Sequence, residues 1–163
     1  MPGSAYCRLV EIVEQSGLPF ILHEHAPLRT VAEAAQNPSF DVARIIKTIA
    51  FRTRNGGLVL ASLRGTGRVD YPRLAVLVGV NRRDLAPLSS EEVLELLGVE
   101  PGSVSPLLLR EDTAVFIDDN VLTIQPTIFC GIGRPDRTLE MAAADLVRLT
   151  GGHTGGFSRL TEY

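Results

Sequence analysis

Ile45-Ile46-Lys47-Thr48-Ile49-Ala50-Phe51-Arg52-Thr53-Arg54-Asn55-Gly56-Gly57-Leu58-Val59-Leu60-Ala61-Ser62-Leu63 reads as two strands joined by a tight turn. Its β-branched and apolar residues suit a pleated, half-buried surface. Asn55-Gly56-Gly57 supplies the positive-φ positions that a hairpin needs. Strands are therefore expected over residues 45–54 and 58–63. Lys47 lies in the first of them. It is the single lysine among sixteen basic residues; the others are arginines. An ammonium in a mostly apolar run is costly to place unless an anion meets it. A compact, three-donor head suits a phosphate. The ordinary alternative is a lysine that snorkels along the wet face of an alternating strand.

Upstream of this hairpin, Ser4 is placed to cap a helix. Tyr6, Leu9, Val10 and Val13 recur at helical spacing, and Gly17 can end it. Residues 20–24 form a short strand candidate stopped near Pro27. Thr30-Val31-Ala32-Glu33 is a capping box for a short helix that must end before Pro38. Downstream, residues 64–67 form a loop, and Tyr71-Pro72 opens a helix through Leu77. Ser89-Ser90-Glu91-Glu92 caps a helix through Leu97, with Gly98 after it. Residues 98–106 are a Gly/Pro loop. Strands are expected over 114–117, 127–130 and 138–141, then a helix over 142–149. The end of the chain, residues 153–163, reads as a loose tail. Strands and helices mix without strict βαβ alternation, which predicts an α+β fold with a mixed sheet.

A length of 163 residues fits one domain, here residues 1–163. The hydrophobic fraction of 45% and charged fraction of 21% are globular values. No apolar run approaches the roughly 20 residues of a membrane span, and the N-terminus lacks the pattern of a signal peptide. Cys7 and Cys130 are too few for a disulfide framework, and no Cys/His cluster points to zinc. A cytoplasmic protein with no metal, cofactor or membrane partner is the expectation. The net charge of −3 hides an asymmetry: residues 41–83 hold nine basic and two acidic residues, the remainder seven and seventeen. A basic middle in an acidic chain fits a local anionic partner, or arginines that pair with acids elsewhere.

Several constellations could carry chemistry. In the loop 98–106, Gly102 permits close backbone approach and unusual dihedrals. Ser103 and Ser105 offer hydroxyls there, and Pro106 stiffens the exit. Such a loop can aim N–H groups at an oxyanion or carbonyl, though helix-to-strand connections often look alike. Gly131-Ile132-Gly133-Arg134 suits contact with a ligand backbone or phosphate, and equally an ordinary hairpin turn. His23 and His25 fall on one side of a strand, but no further ligands make a metal set. Cys130 is a candidate nucleophile or a small buried residue at a strand end. Asp118 and Asp119 are adjacent and so face opposite ways, which favours a turn role over a catalytic pair.

Taken in order, these pieces resemble the YbaK / prolyl-tRNA synthetase editing-domain family. The resemblance is carried by His23-Glu24-His25-Ala26-Pro27, Thr30-Val31-Ala32-Glu33-Ala34, Ile46-Lys47-Thr48, Gly102-Ser103-Val104-Ser105-Pro106, Phe116-Ile117-Asp118, and Gly131-x-Gly133-Arg134 with Leu139-Glu140. It spans roughly residues 5–150. It implies a mixed, barrel-like sheet wrapped by helices. It also implies trans-acting hydrolysis of the ester on a mischarged aminoacyl-tRNA, with tRNA-Pro carrying a small wrong amino acid such as Cys or Ala as the usual substrate. A pocket cannot strongly reject a smaller relative, so a second hydrolytic site is needed. The implied partners are the tRNA 3′ acceptor end and prolyl-tRNA synthetase.

By the same resemblance, Lys47 holds the phosphate of the terminal adenosine, and the Gly102, Ser103 and Ser105 loop positions the ester and water. His23, Thr48, Pro106, Gly131, Gly133, Arg134 and Thr138 line the substrate site. Much of the catalysis falls to the substrate's own hydroxyl. Thr138 stands where relatives often carry aspartate or histidine, with Asp136 as the other match. His23 stands where some carry tyrosine. Thr48 resembles the cysteine-removing branch, whereas the Thr30 and Gly102 motifs resemble the alanine-removing one. A non-catalytic module that binds tRNA, a synthetase or a nucleotide is the rival reading, and a hydrolase using Cys130 is a third.

Overall fold

The computed structural model describes residues 4–107 and 110–160. Ser4 caps α1 (Ala5–Ser16) by accepting the Cys7 N–H, and Gly17 closes it in the left-handed region. β1 (Ile21–Glu24) and α2 (Val31–Ala35) follow. The Thr30 hydroxyl accepts the Glu33 N–H, while the Glu33 carboxylate accepts from Arg29 N–H, so the capping box reaches back one residue further than expected. β2 (Ile46–Thr53) and β3 (Leu58–Arg64) make the anticipated hairpin. Thr53 N–H donates to the Gly57 carbonyl at 2.9 Å, and Gly56 has φ +86°. This is a three-residue loop with a left-handed glycine.

β4 (Gly67–Val69), α3 (Tyr71–Val78), β5 (Leu85–Pro87) and α4 (Ser90–Leu97) come next. Asp70 caps α3, and a reciprocal Ser89/Glu92 box caps α4. A single 3-10 turn over Pro101–Ser103 leads to β6 (Thr113–Asp118), β7 (Ile128–Gly131), β8 (Arg137–Met141) and α5 (Ala143–Thr150). β9 (His153–Gly155) and β10 (Ser158–Leu160) end the described chain.

The strands form a five-stranded sheet in the order β5-β2-β3-β6-β9, a three-stranded sheet β1-β8-β7 and a β4/β10 pair. The large sheet is mixed: β2 is antiparallel to β3 and β5, while β3/β6 and β6/β9 are parallel. The α+β expectation therefore holds. The sheets do not close into a barrel among the described residues. They touch through one parallel bridge, Ile45 to Phe129, and part beyond it. Alternation along β2 and β3 feeds two cores. Ile46, Ala50, Leu58 and Leu60 pack with α1, α4 and α5 on one face. Phe51, Val59, Ala61 and Leu63 pack with α3 and Phe157 on the other. Among the described residues no helix is long and apolar enough to cross a membrane.

The tail expected to be loose is instead paired through residue 160. β9 runs parallel to β6, β10 runs antiparallel to β4, and Phe157 is fully buried. The anchor is Asp118, buried at the end of β6, whose carboxylate accepts the Phe157 and Ser158 N–H groups and the Ser158 hydroxyl. Asp118 also accepts the Asn120 N–H, the turn role expected of it. Residues 161–163 of that reading lie outside the described residues.

Candidate functional site

The N-terminal half of β2 has an open edge. β5 pairs with β2 at Phe51, Arg52 and Thr53 alone. In an antiparallel pair, alternate residues turn both backbone groups to the partner strand. The Thr53–Gly57 bond sets that phase, so Phe51, Ile49 and Lys47 bond to β3 while Thr48 turns its N–H and C=O the other way. The Leu88 N–H takes the Ala50 carbonyl on that outer side at 2.9 Å, in agreement with this phase. A cleft of about 380 Å³ runs along the open edge. Lys47, Thr48, Val31, Gly102, Phe129 and Thr138 are among its walls. The volume is that of a small-molecule site, typically about 300–1,000 Å³.

Lys47 is half-buried at this edge, and among the described residues no carboxylate pairs with it. Burial lowers its pKa below the usual 10.5, and the nearby charge of Arg68 lowers it further. A snorkelling lysine keeps its head in water, whereas this one is partly desolvated beside a second cation. The Thr48 hydroxyl meets the Ser62 hydroxyl across the hairpin at 2.8 Å.

The opposite wall is built on β8. Leu139 and Met141 enter the core, which leaves Thr138 and Glu140 together on the other face. Glu140 accepts from the His23 ring at 2.7 Å, Arg44 at 3.0 Å and the Thr127 hydroxyl at 2.5 Å. Burial pushes its carboxyl up, but the bonds from Thr127 and His23 and the charge of Arg44 outweigh this and hold it below 4.5. His25 meets the Thr138 hydroxyl at 2.8 Å. Both histidine rings stand edge-on to Phe40, and the Arg44 guanidinium lies 4.5 Å from the Phe129 ring centre. Arg134 forms a two-pronged pair with Asp136, at 2.9 and 2.8 Å, and Arg137 pairs with Asp136 and Glu24.

Of the residues singled out from the sequence, Lys47, Thr48, Gly102, Gly131, Arg134 and Thr138 meet at the cleft. His23, Ser103, Ser105, Pro106 and Gly133 do not line it. His23 stands behind the wall, supporting Glu140, Phe40 and Phe129. Ser103 and Ser105 are only 2% and 6% exposed, and the Ser105 hydroxyl accepts the Leu107 N–H. The Ser105 hydroxyl is thus used by the turn itself, whereas the buried Ser103 hydroxyl has no hydrogen-bond partner among the described residues. Gly102 does permit a close approach, but of the Arg29 backbone, whose carbonyl a Cβ would strike. Its φ is not in the left-handed region, so the unusual dihedral expected there is absent. At Gly131 a Cβ would come within 2.5 Å of the Val104 carbonyl. Gly133, at φ +91°, lies against the Tyr6 backbone. The two glycines thus seat the 101–104 turn and α1.

Cys130 lines the cleft, but burial pushes its thiol up to about 12, far from a reactive thiolate. No group of three His, Cys, Asp or Glu able to hold a metal occurs among the described residues. The sequence reading passed over Phe40, Phe129, Arg137 and Glu140 as site builders. Only the period-2 alternation of Thr138 and Glu140 could have signalled that face; the aromatic rings carry no such mark.

A family model described as the aminoacyl-tRNA editing domain matches residues 25–149. The uncharacterized protein YwhH of Bacillus subtilis is 30% identical over 117 residues, 72% of this chain and 72% of that one. The proline–tRNA ligase of Bacillus pumilus is 33% identical over 95 residues, 58% of this chain but 16% of the ligase. A crystal structure of a candidate trans-editing enzyme for prolyl tRNA synthetase superposes with a TM-score of 0.82 at 25% identity, covering 98% of this chain and 99% of that one.

Proposed function

Since the chain belongs to the aminoacyl-tRNA editing domain family, we propose that its cleft hydrolyses the ester of a mischarged aminoacyl-tRNA, acting in trans. The observation that carries this reading is the charge state of the lining. Its basic residues are Arg29, Lys47, Arg134 and Arg137. Among the described residues Arg29 pairs with Glu100, and the other two arginines pair with Asp136. Lys47 alone of the four has no carboxylate partner. A nucleotide phosphate is the anion that would complete it.

Among the described residues the lining contains no carboxylate and no imidazole. No such side chain of the described walls offers a general base, and the proposed chemistry rests on placement and electrostatics. Lys47 holds the phosphate of the terminal adenosine. The outward Thr48 N–H and C=O, with the 101–104 turn, hold the acyl group. Water adds to the ester carbonyl, the acyl–oxygen bond breaks, and the departing ribose oxygen takes a proton. The neighbouring ribose hydroxyl assists that transfer. Free amino acid and intact tRNA leave.

The test is a panel of tRNA-Pro mischarged with alanine, cysteine, serine or threonine. Ester loss above the uncatalysed rate, abolished in a folded Lys47→Ala variant, is the expected result. A fully active Lys47→Ala protein contradicts the mechanism. Binding of tRNA without ester loss by the wild type would make this a binding module instead.

A further inference from the structure

The reading of the cleft as an aminoacyl site leaves one hydrogen-bond pair unexplained. His25 lies just beyond β1, partly buried, and both ring nitrogens are engaged. Nδ1 is 2.7 Å from the Ala26 carbonyl oxygen, and Nε2 is 2.8 Å from the Thr138 hydroxyl. A carbonyl only accepts, so Nδ1 carries the hydrogen. In the neutral ring Nε2 is then the acceptor, and the Thr138 hydroxyl must donate to it. That hydroxyl has one hydrogen. Once it is given to His25, the oxygen can only accept from anything else. Thr138 lines the cleft, so it presents an acceptor there.

We infer that His25 is a positioning residue that locks the Thr138 hydroxyl as an acceptor for the α-ammonium of the bound aminoacyl group. The inference rests on the aminoacyl reading above and deepens it. A free threonine hydroxyl can turn to donate or accept. A locked one discriminates, because a ligand without an N–H at that point leaves the oxygen unpaired in a largely apolar cleft. The ammonium is the donor common to every aminoacyl ester, so this contact recognises the acyl group as an amino acid whatever its side chain. The companion pair on the same face, His23 with Glu140, does not reach the cleft. Its carboxylate is already engaged by Arg44 and Thr127.

The experiment is calorimetric binding of two non-hydrolysable probes, 3′-alanylamino-3′-deoxyadenosine 5′-phosphate and its 3′-propionylamino counterpart, which lacks only the amine. The wild type is expected to prefer the alanyl probe by roughly tenfold or more, the worth of a hydrogen bond to a charged group. Thr138→Val should erase most of that preference, and His25→Ala should reduce it, since the freed hydroxyl can then donate as well as accept. The double variant should be no worse than Thr138→Val, since His25 acts only through the Thr138 hydroxyl. Thr138→Ser should keep the preference. A preference unchanged in Thr138→Val or in His25→Ala overturns the inference. Equal binding of both probes by the wild type also overturns it while leaving the nucleotide reading intact. Failure to bind either probe would instead sink the aminoacyl reading itself.

Discussion

Two walls of one cleft carry cations in opposite ways. On the β8 side, Arg44, Arg134 and Arg137 meet Glu140, Asp136 and Glu24 within the protein. On the β2 side, Lys47 meets none of the described acids and is partly stripped of water as well. Internally neutralised arginines build and stiffen a wall. A partly desolvated ammonium with no carboxylate partner among the described residues lends no such stiffening. The difference separates the cations neutralised within the protein from the one proposed to take an outside anion.

The largest expected effect comes from the β2 wall. Lys47→Ala should lower ester hydrolysis by about 10²-fold or more, the scale of losing one electrostatic contact to a charged transition state. Single-turnover deacylation measures it. Arg134→Ala should have a much smaller effect on the chemical step, since Arg134 already belongs to Asp136. Equal losses in the two variants would erase the contrast between the walls. Gly102→Ala comes next: its methyl would strike the Arg29 carbonyl, and overpacking of this kind destabilises by about 1–3 kcal/mol. Thermal unfolding should show the drop, together with reduced activity, as the 101–104 turn moves off the Arg29 backbone.

Glu140 tests the neutralised wall by its pH dependence. Its folded pKa lies below the ordinary 4.5, so its contribution to stability is present above that pH and is lost as pH falls through the folded value. Glu140→Gln should lower Tm at neutral pH by about 2–4 °C, and the gap from wild type should close in acid. The smallest effect is on the opposite side. The Lys47 pKa is lowered in the fold, so its charged form disfavours folding below the folded pKa, and the penalty vanishes above 10.5. Lys47→Met should therefore raise Tm at pH 7 by about 1–3 °C while hydrolysis is lost. A lowered Tm would mean that Lys47 supports the fold after all.

The fold was legible where local chemistry is strong. Ser4, Thr30 and Ser89 cap their helices, Gly17 and Gly98 end theirs, and Asn55-Gly56-Gly57 turns the hairpin. β4, β5, β9 and β10 were not legible, because three residues are too few to show a period of two. The tail escaped for a further reason: its anchor, Asp118, is some forty residues away and looks like a turn aspartate. At the site, Lys47 stood out because a lone lysine in an apolar run is an energetic anomaly. That Ser103 and Ser105 are buried behind the lining was not legible, because composition shows a hydroxyl but not which way the turn faces. The meeting of His25 with Thr138 depends on cross-strand register, with His23 opposite Thr138, which no local pattern encodes.

Whether a nucleotide phosphate matches Lys47 can be measured directly. Dissociation constants are compared for 3′-alanylamino-3′-deoxyadenosine with and without its 5′-phosphate, for wild type and for Lys47→Ala. The phosphate is expected to tighten binding to the wild type by roughly tenfold or more and to leave Lys47→Ala unaffected. The same phosphate gain in both proteins would contradict it.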